Sequence, residues 1–450
     1  LKTFKVDPRP GWPDVTCRRL LTHTAGIGEI PRLADVVHPA AFGVDKPGSG
    51  GVDLAALYRG ALRPEVPAGT KWAYANHGFA VAGQLVQDIS GTPLPEYMRE
   101  RVFDRLGMRR TDYLRTDRVA GDVASGHRAS KGRLRPVRDY DRSLLGPGAV
   151  RSTLSDMATY TEALLRTAAG EKGPILRQET LAEMWSPQFS PDPRIPGMGL
   201  AFFLHDFDGR RVVGHDGNLP GFASALLLAP EDQVGVVVLT NTATLFGAHL
   251  LAEAILRAEL ALPPAGSGLP RPGVPENPAT WEELVGYYAP DPGLLTNVWP
   301  RSLVGGEVQI LTMGDHLVAR ALSPSRELRR GARLHPVDRD DPANFELNAG
   351  GMVVPVVFRR DPDGQVICVG HPMLSTLRKR PRWRSSRLRL RALTVAGAAA
   401  AVFGLWRRLR RRETPRSSAP PRSGACGTAR RTLRRRPRTP MACCRGWTAQ

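Results

Sequence analysis

Cysteine is scarce in this chain, and its placement excludes the sites that cysteines usually build. Five cysteines occur in 450 residues, and their spacing matches neither a zinc-ligand motif nor a disulfide framework. The sequence also contains no Cys-x-x-Cys, no His-Glu-x-x-His and no glycine-rich phosphate loop. We therefore expect neither a metal nor a cofactor, and cysteine usage leaves the redox compartment open.

Acidic residues are nearly absent from the C-terminal part of the chain. Of 63 Lys and Arg residues, 22 lie between Thr376 and Gln450, together with a single one of the 43 acidic residues, Glu413. The preceding residues are therefore close to neutral, and the net charge of +20 belongs to a tail. Arg-rich runs bind phosphates by charge alone, but this tail has no aromatic interleaving and resembles no nucleic-acid-binding fold. A nucleic-acid partner is not expected.

Long apolar runs are also absent. The segment ALTVAGAAAAVFGLW, residues 392–406, has fifteen residues without a charge. As a helix it would span roughly 22 Å at about 1.5 Å per residue, against a hydrocarbon core of about 30 Å. Arginines flank it on both sides, so the positive-inside bias gives no orientation. Two alternatives stay open: a helix that associates the protein with a membrane, or a basic segment that is amphipathic or unfolded.

Both ends of the sequence lack expected features. The chain opens on Leu1 with LKTFKVDPRPGW, which has neither an initiator methionine nor the apolar core of a secretory signal, so we expect a missing N-terminus. Residues 413–450 contain no Val, Ile, Phe, Tyr, Asp, Asn, Lys or His and cannot bury a core. We expect this end to be a frameshifted reading of a GC-rich gene.

Composition divides the chain into four parts. Residues 1–262 contain helical and then β-rich patterns, and 263–278 form a Pro/Gly-rich linker. Residues 279–375 hold short apolar runs between turn residues, and 376–450 form the Arg-rich tail. The first part is predicted to be an α/β (α+β) domain, with an antiparallel sheet flanked by helices. The third part is predicted to be a small β domain.

Periodicity and capping signals place the elements of the first part. FAVAGQLVQDISG has apolar residues at helical spacing and stops at Gly91, and PLPEYMRERVFDRLG ends at Gly107. Thr153 and Asp156 resemble a capping box at the start of a third helix. From Met198, short β-rich runs between turn residues predict an antiparallel meander, and GAHLLAEAILRAEL predicts the last helix.

Three short segments carry residues that could take part in catalysis. Tyr74 lies in KWAYANHGF, His215 in VVGHDGNLPGF and His23 in LLTHTAGI. Taken alone, a tyrosine before a helix is usually a packing residue, and a histidine at a strand end is usually structural. His23 is expected to bond within its own loop.

The order of the segments changes that interpretation. These three and two further segments, five in all, together resemble the serine β-lactamase superfamily, nearest to class C β-lactamases, D-alanyl-D-alanine carboxypeptidases and family VIII esterases. They are LLTHTAGI, PAGTKWAYANHGFAVAGQLVQDISG, LGM-x-x-T-x-Y, GPGAVRSTLSDMATY and GHDGNLPGFASALLLAPEDQVGVVVLTN. The resemblance covers roughly 1–260 and implies a β-lactamase/transpeptidase-like sheet flanked by helices, incomplete at the N-terminus. The β domain loosely resembles the lipocalin-like C-terminal modules of some hydrolases in this superfamily.

The resemblance implies roles for five residues. In that family the serine of a Ser-x-x-Lys motif attacks, and the lysine shares its proton with the tyrosine of Tyr-x-Asn. Tyr74 matches this tyrosine, and Asn76 matches the asparagine that bonds substrate and lysine. His215 and Gly217 lie where relatives have Lys-Thr-Gly or His-x-Gly on the cleft strand. The backbone N–H of Asn218 matches one oxyanion-hole donor.

Elementary chemistry gives each role a physical reason. A serine hydroxyl needs an adjacent base to attack an acyl carbonyl. A phenol has a pKa near 10 and is a poor base at neutral pH unless a nearby cation favours phenolate. His215 could steer a substrate carboxylate or ester, although a neutral imidazole holds anions less firmly than a lysine.

One part of the family's machinery is missing from the sequence. Residues 1–450 contain no Ser-x-x-Lys and no Gly-x-Ser-x-Gly. In relatives the first motif precedes LLTHTAGI by several dozen residues, so we expect it upstream of Leu1. The leading hypothesis is an extracytoplasmic, cell-envelope serine hydrolase that acts through an acyl-enzyme on a peptide, β-lactam or small ester, and that is inactive as this fragment. The alternative is a non-catalytic or decayed homologue that only binds a ligand or does not fold.

Overall fold

A computed structural model describes residues 1–385 except 38, 131, 245, 291, 292, 294, 324, 325 and 371–375. Residues 1–391 form one unit, and a second unit, 392–450, lies outside the described part. The predictions for 392–406 and 413–450 therefore fall outside the described residues. Among the helices that are described, none combines the length and the apolar character needed to cross a bilayer.

Local sequence signals mark one end of each of the two longest described helices. In chain order the described α-helices are α1 (Cys17–Leu21), α2 (Leu54–Tyr58), α3 (Asn76–Ser90), α4 (Leu94–Met98), α5 (Leu154–Ala168), α6 (Gln178–Trp185), α7 (Gly247–Glu259), α8 (Trp281–Leu284), α9 (Val298–Leu303) and α10 (Arg326–Arg330). α3 ends at Gly91, whose φ of 72° suits a residue without a Cβ. α5 follows Thr153, whose hydroxyl accepts the N–H of Asp156. α4 continues into a π-helical turn at Arg99–Phe103.

The strands of the first domain include the predicted meander. They are β1 (Lys5–Val6), β2 (Val44–Asp45), β3 (Ala61–Leu62), β4 (His127–Ser130), β5 (Arg133–Pro136), β6 (Asp141–Arg142), β7 (Phe203–Phe207), β8 (Arg210–Leu219), β9 (Phe222–Ala229), β10 (Val234–Thr240) and β11 (Thr242–Ala243). The order β10-β9-β8-β7 is antiparallel throughout. The predicted antiparallel sheet is confirmed.

Helices cover both faces of this sheet. Successive residues of a strand point to opposite faces, so one apolar strand can pack against helices on both sides. Leu227 of β9 packs on one face in a cluster with Ala252 and Leu256 of α7. Its neighbours Leu226 and Leu228 pack on the other face, in a cluster with side chains of α5 and α6. The near-continuous apolar sequence of β9 is therefore explained by burial on two sides, and the predicted flanking helices are confirmed.

The second domain is a closed barrel of eight antiparallel strands. These are β12 (Gly286–Pro290), β13 (Val308–Met313), β14 (His316–Ala321), β15 (Ala332–Pro336), β16 (Asn344–Ala349), β17 (Met352–Arg360), β18 (Val366–Gly370) and β19 (Thr376–Arg380). Tyr288, Phe345 and Phe358 are among the large side chains of its core. β19 lies beyond residue 375, where the tail was predicted to begin. The barrel closes because this basic strand pairs with both β12 and β18, and Arg378 forms an ion pair with Asp361.

The barrel packs directly against the first domain beside KWAYANHGF. The apolar side chains that meet there are Trp72, Ile195 and Met198 from the first domain and Val357, Ile367 and Val369 from β17 and β18. Arg194 bridges the same junction, with Nη1 2.7 Å from Asp341 and Nε 2.8 Å from Asp192. Tyr74 contacts the apolar cluster from its edge. The barrel therefore supports one side of the loop that carries Tyr74.

Candidate active site

A cavity of about 1720 Å³ collects the residues that the sequence singled out. The side chains or backbone of all five predicted site residues line it: Tyr74, Asn76, His215, Gly217 and Asn218. The two groups come from distant parts of the chain, the loop before α3 and the second half of β8. Val298 and Ser302 of α9 add a wall from the barrel domain. The structure places the five residues together, and their individual roles stay predictions.

Tyr74 lies half-buried at the entrance to α3, which begins at Asn76. Its hydroxyl is 3.4 Å from Oδ1 of Asn76, a long contact between the two motif residues. Burial is the main cause that raises the pKa of Tyr74 to about 12; the charge of Glu29 adds to the shift, and the charge of Arg142 opposes it. The phenol is therefore protonated at neutral pH in this environment, and a further cation is needed to make it a base.

His23 holds the Tyr74 loop in place, which the sequence did not predict. The carbonyl of His23 accepts the N–H of Ala73 at 2.8 Å, and its Nδ1 accepts the N–H of Ala75 at 3.2 Å. Its ring lies 4.3 Å from the Tyr74 ring, centroid to centroid. Burial, together with a smaller effect of the nearby His215, lowers the pKa of His23 to about 3, so the ring is neutral. The expectation that His23 bonds within its own loop is wrong, because its side chain joins LLTHTAGI to KWAYANHGF.

His215, Gly217 and Asn218 lie where β8 runs past its shorter neighbour. β7 pairs with β8 only as far as Gly214, whereas β9 pairs with it to Leu219. In the described residues no strand covers the second half of β8 on the β7 side, so one backbone edge is open there. Nδ1 of His215 donates to the carbonyl of Asp216 at 2.7 Å. Burial lowers the pKa of His215, and this effect outweighs the opposing effect of Asp216. The lowered pKa favours a neutral ring.

Gly217 lies close to a side chain of the neighbouring strand. It lies opposite Ser224 of β9, and a Cβ at Gly217 would lie 2.4 Å from the Ser224 Oγ. Any larger residue here would force the Ser224 side chain to turn away. The glycine therefore leaves room for the Ser224 hydroxyl at the edge of the cavity.

The Asp216 side chain contacts His249 and so connects β8 to α7. His249 is buried, and its Nδ1 lies 3.1 Å from the nearer carboxylate oxygen of Asp216. The His205 ring lies 5.5 Å from the His249 ring, centroid to centroid. Burial opposes a charged His249, but the hydrogen bond and charge of Asp216, together with Glu253, outweigh it and raise the pKa. The pair is therefore an ion pair at acidic pH.

This ion pair predicts a pH dependence of stability. Because the pKa of folded His249 is raised above the unfolded value of 6.5, its contribution is fully present below pH 6.5 and is lost as pH rises through the raised pKa. The difference in unfolding free energy between the wild type and His249→Gln should therefore shrink as pH rises. Urea unfolding over about pH 5.5–8.5 measures it. Asp216→Asn should remove the same pH dependence, and a difference that stays constant with pH would contradict the assignment.

Arg142 in β6 is a cavity residue that the sequence did not predict. It is a buried arginine that lines the cavity, and burial lowers its pKa. It lies in a polar segment rich in Gly and Arg, where a charge run ordinarily means a solvated surface. No local signal separates it from exposed arginines of the same segment such as Arg135 and Arg138, because its side chain is buried where β6 pairs with the distant strand β2.

Metal ligands do not cluster in the part of the chain that the structure describes. No group of three or more His, Cys, Asp or Glu side chains there could hold an ion. The two cysteines in that part, Cys17 and Cys368, are free, and they lie at the surface and inside the barrel respectively. Neither lines the cavity.

Comparison with known proteins gives consistent matches to the first domain. Residues 2–260 match the family model Beta-lactamase. The D-aminopeptidase of Cereibacter sphaeroides is 27% identical over 232 residues, which are 52% of this chain and 42% of that protein. Penicillin-binding protein 4 of Amycolatopsis lactamdurans is 28% identical over 267 residues, 55% of this chain and 65% of that protein. The chain spans less than two thirds of the length of either relative.

A solved structure is similar over more of the chain. The octameric penicillin-binding protein homologue from Pyrococcus abyssi shares 21% sequence identity, with a TM-score of 0.48. The alignment covers 83% of this chain and 80% of that one.

Proposed function

Because the chain belongs to the beta-lactamase family, we propose that its cavity is the active site of a serine hydrolase that acts through an acyl-enzyme. The substrate class is a peptide, a β-lactam or a small ester. One observation carries the proposal: Tyr74 and Asn76 of one motif share a cavity with His215, Gly217 and Asn218 of another. In this proposal Tyr74 is the base and Asn76 bonds the substrate.

The base needs a cationic partner, and residues 1–450 contain no Ser-x-x-Lys motif to supply it. With a pKa of about 12, Tyr74 deprotonates a serine only when a cation beside it favours phenolate. In the family that cation is the lysine of Ser-x-x-Lys, and the motif is absent from the sequence. We propose that the serine and lysine are contributed from outside residues 1–450, and that these residues alone form no acyl-enzyme.

The open edge of β8 suits the stabilisation of an oxyanion. Backbone N–H groups at a strand edge are fixed donors, and one such donor lowers the barrier by roughly 3–4 kcal/mol when it faces the developing charge. The N–H of Asn218 is the donor in this proposal, and the pairing of β8 with β9 continues on both sides of it, from Gly217 opposite Ser224 to Leu219 opposite Phe222.

Labelling tests the proposal and narrows the substrate class. A chain extended by the coding sequence upstream of Leu1 should react with a fluorescent fluorophosphonate, and with a fluorescent penicillin if it accepts lactams. Residues 1–450 alone should react with neither. Absence of an in-frame Ser-x-x-Lys in the upstream DNA would remove the catalytic claim.

The missing motif also favours a second candidate, a non-catalytic homologue that binds a ligand or does not fold. A thermal unfolding scan of residues 1–450 separates these outcomes. A cooperative transition would argue against a product that does not fold. Saturable binding of a ligand by the extended chain, without any covalent adduct, would favour the ligand-binding homologue.

We also propose an extracytoplasmic location in the cell envelope, which the family resemblance supports. Fractionation of the source cells tests it. Recovery of the protein in the cytosol alone would contradict the proposal.

A further inference from the structure

In the part of the chain that the structure describes, Arg142 is a buried cation without an acidic partner. Arg142 is 8% exposed, and its Nε has no hydrogen-bond partner among the described residues. The polar contact that it makes within the described residues is long, 3.5 Å from Nη1 to the carbonyl oxygen of Phe42. Among the described residues, no carboxylate lies within ion-pair distance of Arg142 or affects its pKa. Burial lowers that pKa, and the side chains of Tyr140 and Tyr74 oppose the shift.

The nearest carboxylate in sequence is already fully engaged. Asp141 accepts hydrogen bonds from Arg115 at 2.8 Å, from Arg151 at 2.5 Å and from the N–H of Gly48 at 2.6 Å. Arg142 therefore stays uncompensated even though an acid precedes it directly.

Other arginines of the cavity wall have acidic partners. The pairs are Arg110 with Asp122, Arg115 with Asp139 and Asp141, Arg118 with Asp104, and Arg151 with Asp141. Arg138 lines the wall too, but it is exposed and solvated. Arg142 differs from all of these because it is both buried and uncompensated.

The backbone around Arg142 holds its guanidinium at the cavity. A Cβ at Gly43 would lie 2.4 Å from Nη2, and a Cβ at Gly148 would lie 4.0 Å from Nε. The absence of a side chain at Gly43 therefore lets the guanidinium lie against the chain. The group is also close enough to Tyr74 that the two side chains shift each other's pKa.

A buried charge without a partner destabilises a protein, so it is retained mainly where a ligand supplies the partner. A guanidinium presents a planar fork that matches a carboxylate with two parallel hydrogen bonds. We propose that Arg142 is the anion-binding residue of the cavity and takes the carboxylate of a peptide-like ligand. The inference rests on the proposed function, since it takes the cavity as the substrate site. It moves to Arg142 a role that the sequence suggested for His215, whose ring is neutral.

Binding rather than turnover tests this inference. Isothermal titration of the 450-residue chain should compare N-acetyl-alanine, which has a carboxylate, with its carboxamide, which has the same shape and no charge. The carboxylate should bind about tenfold tighter or better, as expected for two charge-assisted hydrogen bonds. Arg142→Gln should abolish this preference, and Arg142→Lys should retain part of it because the charge remains without the fork.

Arg138→Gln is the matched control, because it removes an exposed arginine from the same wall and should keep the wild-type preference. The inference is overturned if the wild type binds both probes equally, if it binds neither at about 10 mM, or if Arg142→Gln keeps the preference. If Arg142→Gln does not fold, Arg142→Lys decides: an unchanged preference overturns the proposal. No acyl-enzyme is needed, so a failure of labelling and a failure of this test are separate results.

Discussion

Tyr74→Phe is expected to slow acylation of the extended chain by about 10²–10⁴-fold, the usual contribution of a general base. The substitution removes only the hydroxyl and keeps the ring, which contacts the His23 ring and the apolar cluster at the barrel. Binding should therefore change little, and the loss should fall on the chemical step. Single-turnover labelling with a fluorescent penicillin or fluorophosphonate measures the rate.

Tyr140→Phe is the matched control for this experiment. Tyr140 lines the same cavity, and its hydroxyl donates to the carbonyl of Pro220 at 2.9 Å. It has no place in the proposed proton transfer, so its loss should change the rate by less than about threefold. Equal effects of the two substitutions would show that Tyr74 matters for packing alone.

Trp72→Ala is expected to lower the unfolding free energy by about 3–5 kcal/mol, as for other buried tryptophans. Trp72 is 3% exposed and packs between Met198 and the barrel side chains Val357 and Ile367. Its removal leaves a cavity at the junction of the two domains, next to the loop that holds Tyr74. We therefore expect both lower stability and weaker ligand binding. Urea unfolding and titration of the same sample measure the two effects.

Trp383→Ala serves as its control, because Trp383 is 66% exposed. Surface substitutions of this kind usually change stability by about 0.5 kcal/mol or less. If Trp72→Ala were no more destabilising than Trp383→Ala, the junction described between barrel and first domain would be incorrect.

The elements that sequence predicted well depend on local signals. α3 and α5 have apolar residues at helical spacing, with Gly91 ending the first and Thr153 capping the second. The meander β7 to β10 has short β-rich runs between turns. The last strand of the barrel was missed because TLRKR reads as part of a basic tail, and its role follows from pairing with two strands far from it in sequence.

The candidate site shows the same difference between local sequence signals and contacts between distant segments. Tyr74, Asn76 and His215 could be predicted as site residues because short motifs in a fixed order resemble a known family, and the structure places them at one cavity. The contacts of His23 and the burial of Arg142 were not identified, since each depends on segments more than 50 positions away. A single sequence contains no signal for such contacts, and the three-dimensional fold supplies it.

Mass-spectrometric mapping of the fluorophosphonate adduct on the extended chain tests the central claim most directly. The proposal predicts one adduct, on the serine of a Ser-x-x-Lys motif in the N-terminal extension, with none on any residue from Leu1 to Gln450. An adduct within residues 1–450, or a folded extended chain that forms no adduct, would contradict it.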